Sequence, residues 1–203
     1  MKRIITIGRE FGAGGGELGR RLARELDIAY YDRDIILKTA KASAHLTPEQ
    51  VRRWDERVPH EFGFTQSLFN FYNRPLSEEL WDAQVRAIRE IADRESCVIV
   101  GRNADYILRD HPRAVNVFVT GAPEDRVRRL CEQENVTPEE AEAQMERTDA
   151  RRASYYDYFS SGKWGEAATY HLCIDSSVLG IEGTADFIRE FAERKLKMNL
   201  SGR

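Results

Sequence analysis

The residues of this sequence whose types and spacing could do chemistry begin with a run of glycines, Gly-Ala-Gly-Gly-Gly at 12–16. The run follows a short apolar segment at 3–8, Arg-Ile-Ile-Thr-Ile-Gly, and precedes a segment with leucines at helical spacing. A buried strand, a glycine turn and the first turn of a helix together present backbone N–H groups to an anion. The pattern therefore predicts a phosphate-binding loop.

The glycine run is compatible with two kinds of phosphate ligand. In the usual nucleoside triphosphate loop, GxxxxGK[ST], a lysine reaches the phosphate oxygens and a hydroxyl residue binds Mg²⁺. The best superposition puts Gly15 in the place of the lysine and Gly16 in the place of the hydroxyl residue. The dinucleotide fingerprint GxGxxG is matched by Gly14, Gly16 and Gly19, with Asp32 placed as a ribose-binding acid would be. The segment alone separates neither interpretation from the other, nor from a structural turn without a ligand.

The elements that must position these residues alternate between strands and helices. Alternation of this kind predicts an α/β fold with a parallel sheet, in which ligands bind at the carboxyl ends of the strands. The ends to consider are Gly8, Asp32, Gly101 and Gly121. We predict strands at 3–8, 28–32, 97–101, 114–121 and 170–175, and helices at 16–27, 47–58, 77–96, 104–110, 123–135, 137–159 and 183–197.

The remainder of the chain favours phosphoryl transfer over hydride transfer. A long and mostly helical stretch at 33–95 interrupts the strand–helix rhythm, as a nucleoside monophosphate-binding insertion would. Arg147, Arg151 and Arg152 then lie on one predicted helix before the last strand. Guanidinium groups match phosphate oxygens and neutralise the charge that spreads over a phosphoryl group in its transition state. Arg126 and Arg129 either reach the donor nucleotide or lie on a solvated helix face.

Composition narrows the class of partner. The chain has 203 residues with a net charge of −3, so no basic field attracts nucleic acid. Its apolar runs, such as the one at 97–100, are far shorter than the roughly 20 residues that span a bilayer. Three widely spaced cysteines are typical of buried thiols in a reducing compartment. We therefore expect a cytoplasmic protein with a small-molecule ligand and no nucleic acid or membrane partner.

Four motifs in order, REFGAGGGE (9–17), YYDRD (30–34), VGRNADYIL (100–108) and DARRASYY (149–156), resemble the cytidylate kinase-like family of P-loop proteins. This family is related to cytidylate kinase within the nucleoside monophosphate kinase group. The resemblance implies a single three-layer P-loop domain over residues 1–203. It also implies a helical acceptor-binding insertion at about 33–95 and an arginine-bearing lid at about 137–165.

The resemblance also implies roles for individual residues. Arg102 stands where cytidylate kinase directs the arginine of Gly-Arg-Asp at phosphate, although Asn103 replaces the acid. Asp149 and Arg152, spaced D-x-x-R, resemble the acid and the arginine that contact the sugar and the phosphate of a nucleotide. The implied groups are Gly12, Ala13, Gly14, Gly15, Gly16, Glu17, Arg147 and Arg151 for nucleotide phosphates, and Asp32, Arg33 and Asp149 for the acceptor.

These observations predict a kinase that transfers the γ-phosphoryl group of ATP, with Mg²⁺, to cytidylate or a related small phosphate. We expect Arg9, with help from Arg102, to supply the charge of the missing lysine, and Arg152 to act with them in catalysis. Glu17 and Asp32 are the carboxylates nearest to a metal ion, and the sequence does not choose between them. A non-catalytic nucleotide-binding or sensing protein is the alternative. An NAD-type oxidoreductase is the third interpretation, resting on the literal GxGxxG alone.

Overall fold

The computed structural model describes residues 2–36 and 74–201. The predicted helix at 47–58 lies outside these residues. The strands are β1 Ile4–Arg9, β2 Ala29–Tyr31, β3 Cys97–Val100, β4 Ala114–Thr120 and β5 Leu172–Asp175. The helices are α1 Gly15–Glu25, α2 Arg74–Arg94, α3 Ala104–Ile107, α4 Pro123–Glu134, α5 Pro138–Phe159 and α6 Ser176–Ser201, and Ala167–Thr169 form a short 3₁₀ helix.

The five strands form one parallel sheet in the order β2-β3-β1-β4-β5. Ile4 of β1 is in register with Cys97 on one side and with Ala114 on the other. The strands that follow β1 in sequence, β2 and β3, thus lie on one side of it, and the later strands β4 and β5 lie on the other side. Ligands of open α/β sheets bind at such a switch point, beyond the carboxyl end of the strand. The fold confirms the predicted parallel α/β architecture and puts the glycine loop at this switch point.

Both faces of the sheet are covered, which explains the continuous apolar strands. On one face, Ile5 and Ile7 pack with leucines of α1 and with Ile188 of α6. On the other face, Ile4 and Ile99 pack with α2 and α3. A parallel sheet buried on both faces needs apolar residues on both sides of each strand. The sheet is therefore the middle layer of three, and its carboxyl edge faces the loops.

Helix starts agree with the sequence to within one residue except in α2, which begins at Arg74 rather than at 77, and in the last helix. Thr137 caps α5 and forms a reciprocal capping box with Glu140, as the Thr-Pro start indicates. The last helix begins at Ser176 rather than at 183, because a short helical segment precedes a break at Gly180, where φ is 63°. That segment is too short to show helical periodicity. None of the helices within the described residues is long and apolar enough to span a membrane.

Candidate functional site

The loop after β1 exposes backbone N–H groups at the start of α1. Gly12 and Gly14 have φ values of 80° and 76°, a region that favours glycine. No side chain caps α1, and its first bonded amide is that of Leu18, which donates to the Gly14 carbonyl at 2.9 Å. Within the described residues, the backbone N–H groups of residues 14–17 donate no hydrogen bond. Such unsatisfied donors at a helix N-terminus are suited to an anion.

A buried arginine holds the first half of this loop in place. Arg126 of α4 donates from Nε to the Phe11 carbonyl at 2.7 Å, and its Nη1 lies 3.3 Å from Glu10 Oε2. It also pairs with Asp149 of α5, whose Oδ1 accepts the Phe11 amide at 2.8 Å. Only 8% of Arg126 is exposed. The sequence left two alternatives for Arg126, a solvated helix face or a contact with the nucleotide. The structure favours neither, because Arg126 lies under the loop.

The side chain of Arg9 occupies the space that a lysine at position 15 would need. A Cβ built on Gly15 would lie 2.7 Å from both Cβ and Cγ of Arg9. The guanidinium group extends toward Gly101, where a Cβ would overlap its Nη1. Burial, and then the charge of Arg102 nearby, lower the pKa of Arg9. The last residue of β1 therefore packs its stem against the position of the missing lysine and carries its charge to the turn at Gly101.

Arg102 follows β3 in an unusual turn. Gly101, Arg102 and Asn103 all have left-handed φ values, of 78°, 58° and 52°. The guanidinium of Arg102 lies 5.6 Å from the centre of the Tyr155 ring of α5, and burial lowers its pKa. Left-handed residues other than glycine cost free energy and are concentrated at functional sites.

Arg152 of α5 approaches the same loop from the other side. Its Nη1 donates to the Arg9 carbonyl at 3.0 Å, and its guanidinium lies 5.4 Å from the Phe11 ring centre. Its contact with Asp149 is longer, 3.6 Å. Burial, and then the charge of Arg9, lower the pKa of Arg152 to about 9. Arg9 thus interacts with Arg102 and with Arg152, which brings the three predicted catalytic arginines to one edge of the sheet.

This cluster is short of negative charge. Within the described residues, Asp149 is the one carboxylate that forms an ion pair with any of these three arginines, and it also pairs with Arg126. Like charges that are partly removed from water repel each other. An anion with several oxygens would relieve this repulsion, as phosphate does.

The other predicted residues occupy different positions around the loop. Arg147 and Arg151 are exposed on α5, and Arg33 is exposed after β2. Asp32 accepts the amides of Asp34 and Ile35 at 3.1 Å, so one of its oxygens caps a helical turn at 33–36. Their roles toward nucleotides, and that of Asp149, stay predictions.

Carboxylates near the loop are few. Glu17, in the first turn of α1, has Oε2 3.2 Å from Arg129 Nη1. Glu17 Oε1 and Asp32 Oδ2 have no hydrogen-bond partner within 2–36 and 74–201. In that same part of the chain, no three His, Cys, Asp or Glu side chains come together as a ready-made metal cage. Mg²⁺ at phosphoryl-transfer sites is held by one or two carboxylates plus substrate phosphates, so Glu17 and Asp32 fit this ion.

Sequence reasoning missed two polar residues that support the site. The hydroxyl of Ser176, at the start of α6, lies 2.9 and 3.0 Å from the carbonyl oxygens of Ala13 and Thr120, and its single proton can be donated to either. Gln84 of α2 is 2% exposed and bonds to Arg102 and Tyr155. The available signal for Gln84 was a lone polar residue on an otherwise apolar helix face. For Ser176, it was a hydroxyl directly after a strand.

A second buried group lies beneath the Arg102 turn. Asp105 is 5% exposed and accepts the Tyr156 hydroxyl at 2.8 Å. Burial raises the pKa of Asp105 above its ordinary range. An acid with a raised pKa in the folded state binds its proton more tightly there than when unfolded. Its contribution therefore favours folding at low pH and is lost as the pH rises through the folded pKa.

We expect Asp105→Asn to raise the melting temperature at pH 8 and to change it little at pH 4, because the amide keeps an acceptor for Tyr156 without a charge. Thermal unfolding across this pH range measures the effect. Asp110→Asn, whose side chain is 89% exposed, is the control and should not change the pH dependence. A melting temperature lowered equally at both pH values would contradict this account.

Comparison with known proteins finds two similar relatives that cover most of this chain. The cytidylate kinase of Aeropyrum pernix is 25% identical over 186 residues, covering 91% of this chain and 95% of that protein. The cytidylate kinase of Granulibacter bethesdensis is 30% identical over 183 residues, covering 76% and 81%.

Solved structures agree at the level of the fold. An uncharacterized protein from Eubacterium ventriosum superposes with a TM-score of 0.75 at 27% identity, covering 95% of this chain and 99% of that chain. The shikimate kinase of Bacteroides thetaiotaomicron superposes with a TM-score of 0.54 at 17% identity, covering 94% and 98%. The second likeness shows the P-loop kinase fold alone.

The family model extends from the first residue of β1 into the beginning of α6. It describes the cytidylate kinase-like family and matches residues 4–178. This range contains the loop, the three clustered arginines and the helices that carry them. The chain therefore belongs to the cytidylate kinase-like family.

Proposed function

We propose that this protein is a nucleotide kinase that transfers the γ-phosphoryl group of ATP to a small phosphate acceptor, with cytidylate the first candidate. One observation carries the proposal. The stem of the Arg9 side chain packs against Gly15, beside a helix N-terminus whose amides at 14–17 have no acceptor in the described residues. The loop thus keeps the amides that a triphosphate requires, and Arg9 would supply the cation.

The arrangement suits phosphoryl transfer, in which positioning and electrostatics supply most of the catalysis. The α1 amides would bind the donor phosphates. Arg9, Arg102 and Arg152 would neutralise the charge that develops on the transferred group, in a partly desolvated setting where each charge has a larger effect. Mg²⁺, bound with ATP, would neutralise phosphate charge, and Glu17 or Asp32 would hold it.

The acceptor and the cellular setting are the finer parts of the proposal. The relatives in Aeropyrum pernix and Granulibacter bethesdensis are cytidylate kinases, which supports a cytidine nucleotide as acceptor. Asp32, Arg33 and Asp149 are the proposed acceptor contacts. Exposed Arg147 and Arg151 would reach phosphate as part of a lid over about 137–165. We also propose that residues 1–203 act as one domain in the cytoplasm.

One observation favours the alternative of nucleotide binding without transfer. Both oxygens of Asp149 are engaged: Oδ1 accepts the Phe11 amide, and Oδ2 pairs with Arg126. In this alternative, Asp149 supports the loop and makes no contact with an acceptor sugar. A protein that binds ATP as a signal would need the loop and the arginines but no acceptor contact.

Binding and turnover, measured separately, distinguish these functions. Calorimetry with ATP, CMP and NADH reports binding, and ADP release from ATP–Mg²⁺ with CMP, dCMP, UMP or shikimate reports transfer. We expect ATP binding and CMP-dependent ADP release. Arg152→Ala should lower both by at least about tenfold, the equivalent of one charge-assisted contact, whereas exposed Arg147→Ala should cost less. ATP binding without transfer to any acceptor would select the alternative, and NADH binding without ATP binding would refute both.

A further inference from the structure

The turn at 101–103 needs support from outside itself. Three consecutive left-handed residues place their carbonyl groups outside a regular ladder. The Gly101 carbonyl accepts the Ala104 amide at 3.2 Å, and the Asn103 carbonyl accepts the Ile107 amide at 2.9 Å. The carbonyl of Arg102, between them, accepts no backbone amide within the described residues. A partner for this carbonyl therefore determines how firmly the residue is held.

Gln84 of α2 supplies that partner. Its Nε2 donates to the Arg102 carbonyl at 3.1 Å. Gln84 is buried, with only 2% of the residue exposed. Its Oε1 accepts the Tyr155 hydroxyl of α5 at 3.2 Å. Both ends of the buried amide are thus satisfied, each by a different element. A buried amide with both ends bonded fixes the relative positions of its partners.

Tyr155 contacts both Gln84 and Arg102, so that each of the three residues contacts the other two. Its ring lies 5.6 Å from the Arg102 guanidinium, within cation–π range. The ring is itself packed at 5.0 Å from Phe159 and at 6.4 Å from Trp81. Arg102 is therefore held at its carbonyl by Gln84 and faced at its guanidinium by a ring that Gln84 orients.

We propose that Gln84 is a positioning residue for Arg102. It directs the Arg102 guanidinium into the site and makes that direction depend on the docking of α5 against α2. The inference rests on the proposed phosphate-binding role of Arg102. A glutamine is required because a side chain of this length must donate one hydrogen bond to the Arg102 carbonyl and accept another from the Tyr155 hydroxyl. Glutamate lacks the donor, and methionine lacks both.

The test compares Gln84→Met with wild type by NMR of the arginine Nε–H groups, in which the Arg102 signal is identified by its loss in Arg102→Lys. We expect Gln84→Met to shift or broaden the Arg102 signal and to weaken CMP binding about five- to tenfold, the effect of losing a buried hydrogen bond. Gln84→Glu should do the same. Gln133→Met, on the exposed face of α4, is the matched control and should change neither measurement.

A double-variant comparison separates positioning from general stability. In the Arg102→Lys background, Gln84→Met should no longer weaken CMP binding, because its effect passes through Arg102. An Arg102 signal unchanged by Gln84→Met, or an equal loss of binding in both backgrounds, would overturn the inference. If wild-type protein binds neither CMP nor ATP, the proposed function fails, and the NMR signal still decides whether Gln84 positions Arg102.

Discussion

Replacing Gly15 by lysine, the residue of the usual phosphate loop, is expected to abolish ATP binding rather than improve it. The backbone at Gly15 does not lie in the left-handed region, so a side chain is not excluded by conformation. The conflict is one of space, because a Cβ at position 15 would lie 2.7 Å from the first two side-chain carbons of Arg9. These atoms are the root of the side chain and cannot move away. Either Arg9 or the loop must be displaced.

Stability measurements would show the conflict without any ligand. We expect Gly15→Ala to lower the free energy of unfolding by about 1–3 kcal/mol, the usual cost of overpacking. Gly16→Ala is the matched control, since its Cβ would meet nothing closer than the Arg20 guanidinium nitrogens at 3.9 Å. That change should leave stability unchanged or raise it by up to about 1 kcal/mol, because alanine favours helix.

The double variant Arg9→Gly, Gly15→Lys provides the rescue. Glycine at position 9 removes both of the carbons that a side chain at position 15 would meet, and the new lysine returns a cation to the loop. We expect calorimetry to show ATP binding for wild type and for the double variant, with Gly15→Lys alone much weaker than either. ATP binding by Gly15→Lys at wild-type affinity would refute the steric part of this account.

Arg126→Ala is expected to be the most destabilising substitution among the arginines around the loop. Arg126 is 8% exposed and is shared by Glu10, Asp149 and the Phe11 carbonyl. Its removal leaves Glu10 without a cation among the described residues and Asp149 with only the longer contact to Arg152, and breaking a buried pair in this way costs about 3–5 kcal/mol. For a chain of this size, each 1 kcal/mol lowers the melting temperature by about 2–4 °C. Denaturant and thermal unfolding would measure both quantities.

Arg128 offers a control on the same helix. It pairs with Asp125 at the surface, where 65% of its side chain is exposed. Arg128→Ala should change stability by less than about 1 kcal/mol, as exposed ion pairs do. The double variant Arg126→Met, Asp149→Asn should recover part of the lost stability, because the charge of Asp149 is then removed together with that of Arg126. Equal effects of Arg126→Ala and Arg128→Ala would contradict the role of Arg126 beneath the loop.

The sequence predicted the scaffold and the approximate place of the site. Apolar runs marked the five strands to within one or two residues at most ends, and Thr137 and Pro123 marked helix starts correctly. These features depend on local chemistry, namely β-branched runs, caps and proline. The place of Arg9 beside the loop was also predicted, because it adjoins the glycines in sequence.

Long-range packing could not be predicted in the same way. Arg126 lies 115 positions from Phe11, and nothing local distinguishes it from exposed Arg128 two residues later. The turn with three left-handed residues at 101–103 likewise has a distant contact, a hydrogen bond from Gln84 of another helix to the Arg102 carbonyl. The earlier start of the last helix at Ser176 depends on contacts to Ala13 and Thr120 that only the fold creates.

The central claim is that Arg9 carries the charge of the absent lysine, and ATP titration of Arg9→Ala tests it most directly. The substitution removes a buried cation whose pKa is lowered by burial, and it also leaves the space of the Arg9 stem, so thermal unfolding of the variant is measured before the titration. Arg194→Ala, on α6 where 75% of the side chain is exposed, is the control for a change of charge alone. The account predicts that Arg9→Ala weakens ATP binding by at least about tenfold, with Arg9→Lys in between and Arg194→Ala close to wild type. Binding of ATP by folded Arg9→Ala at wild-type affinity would contradict it.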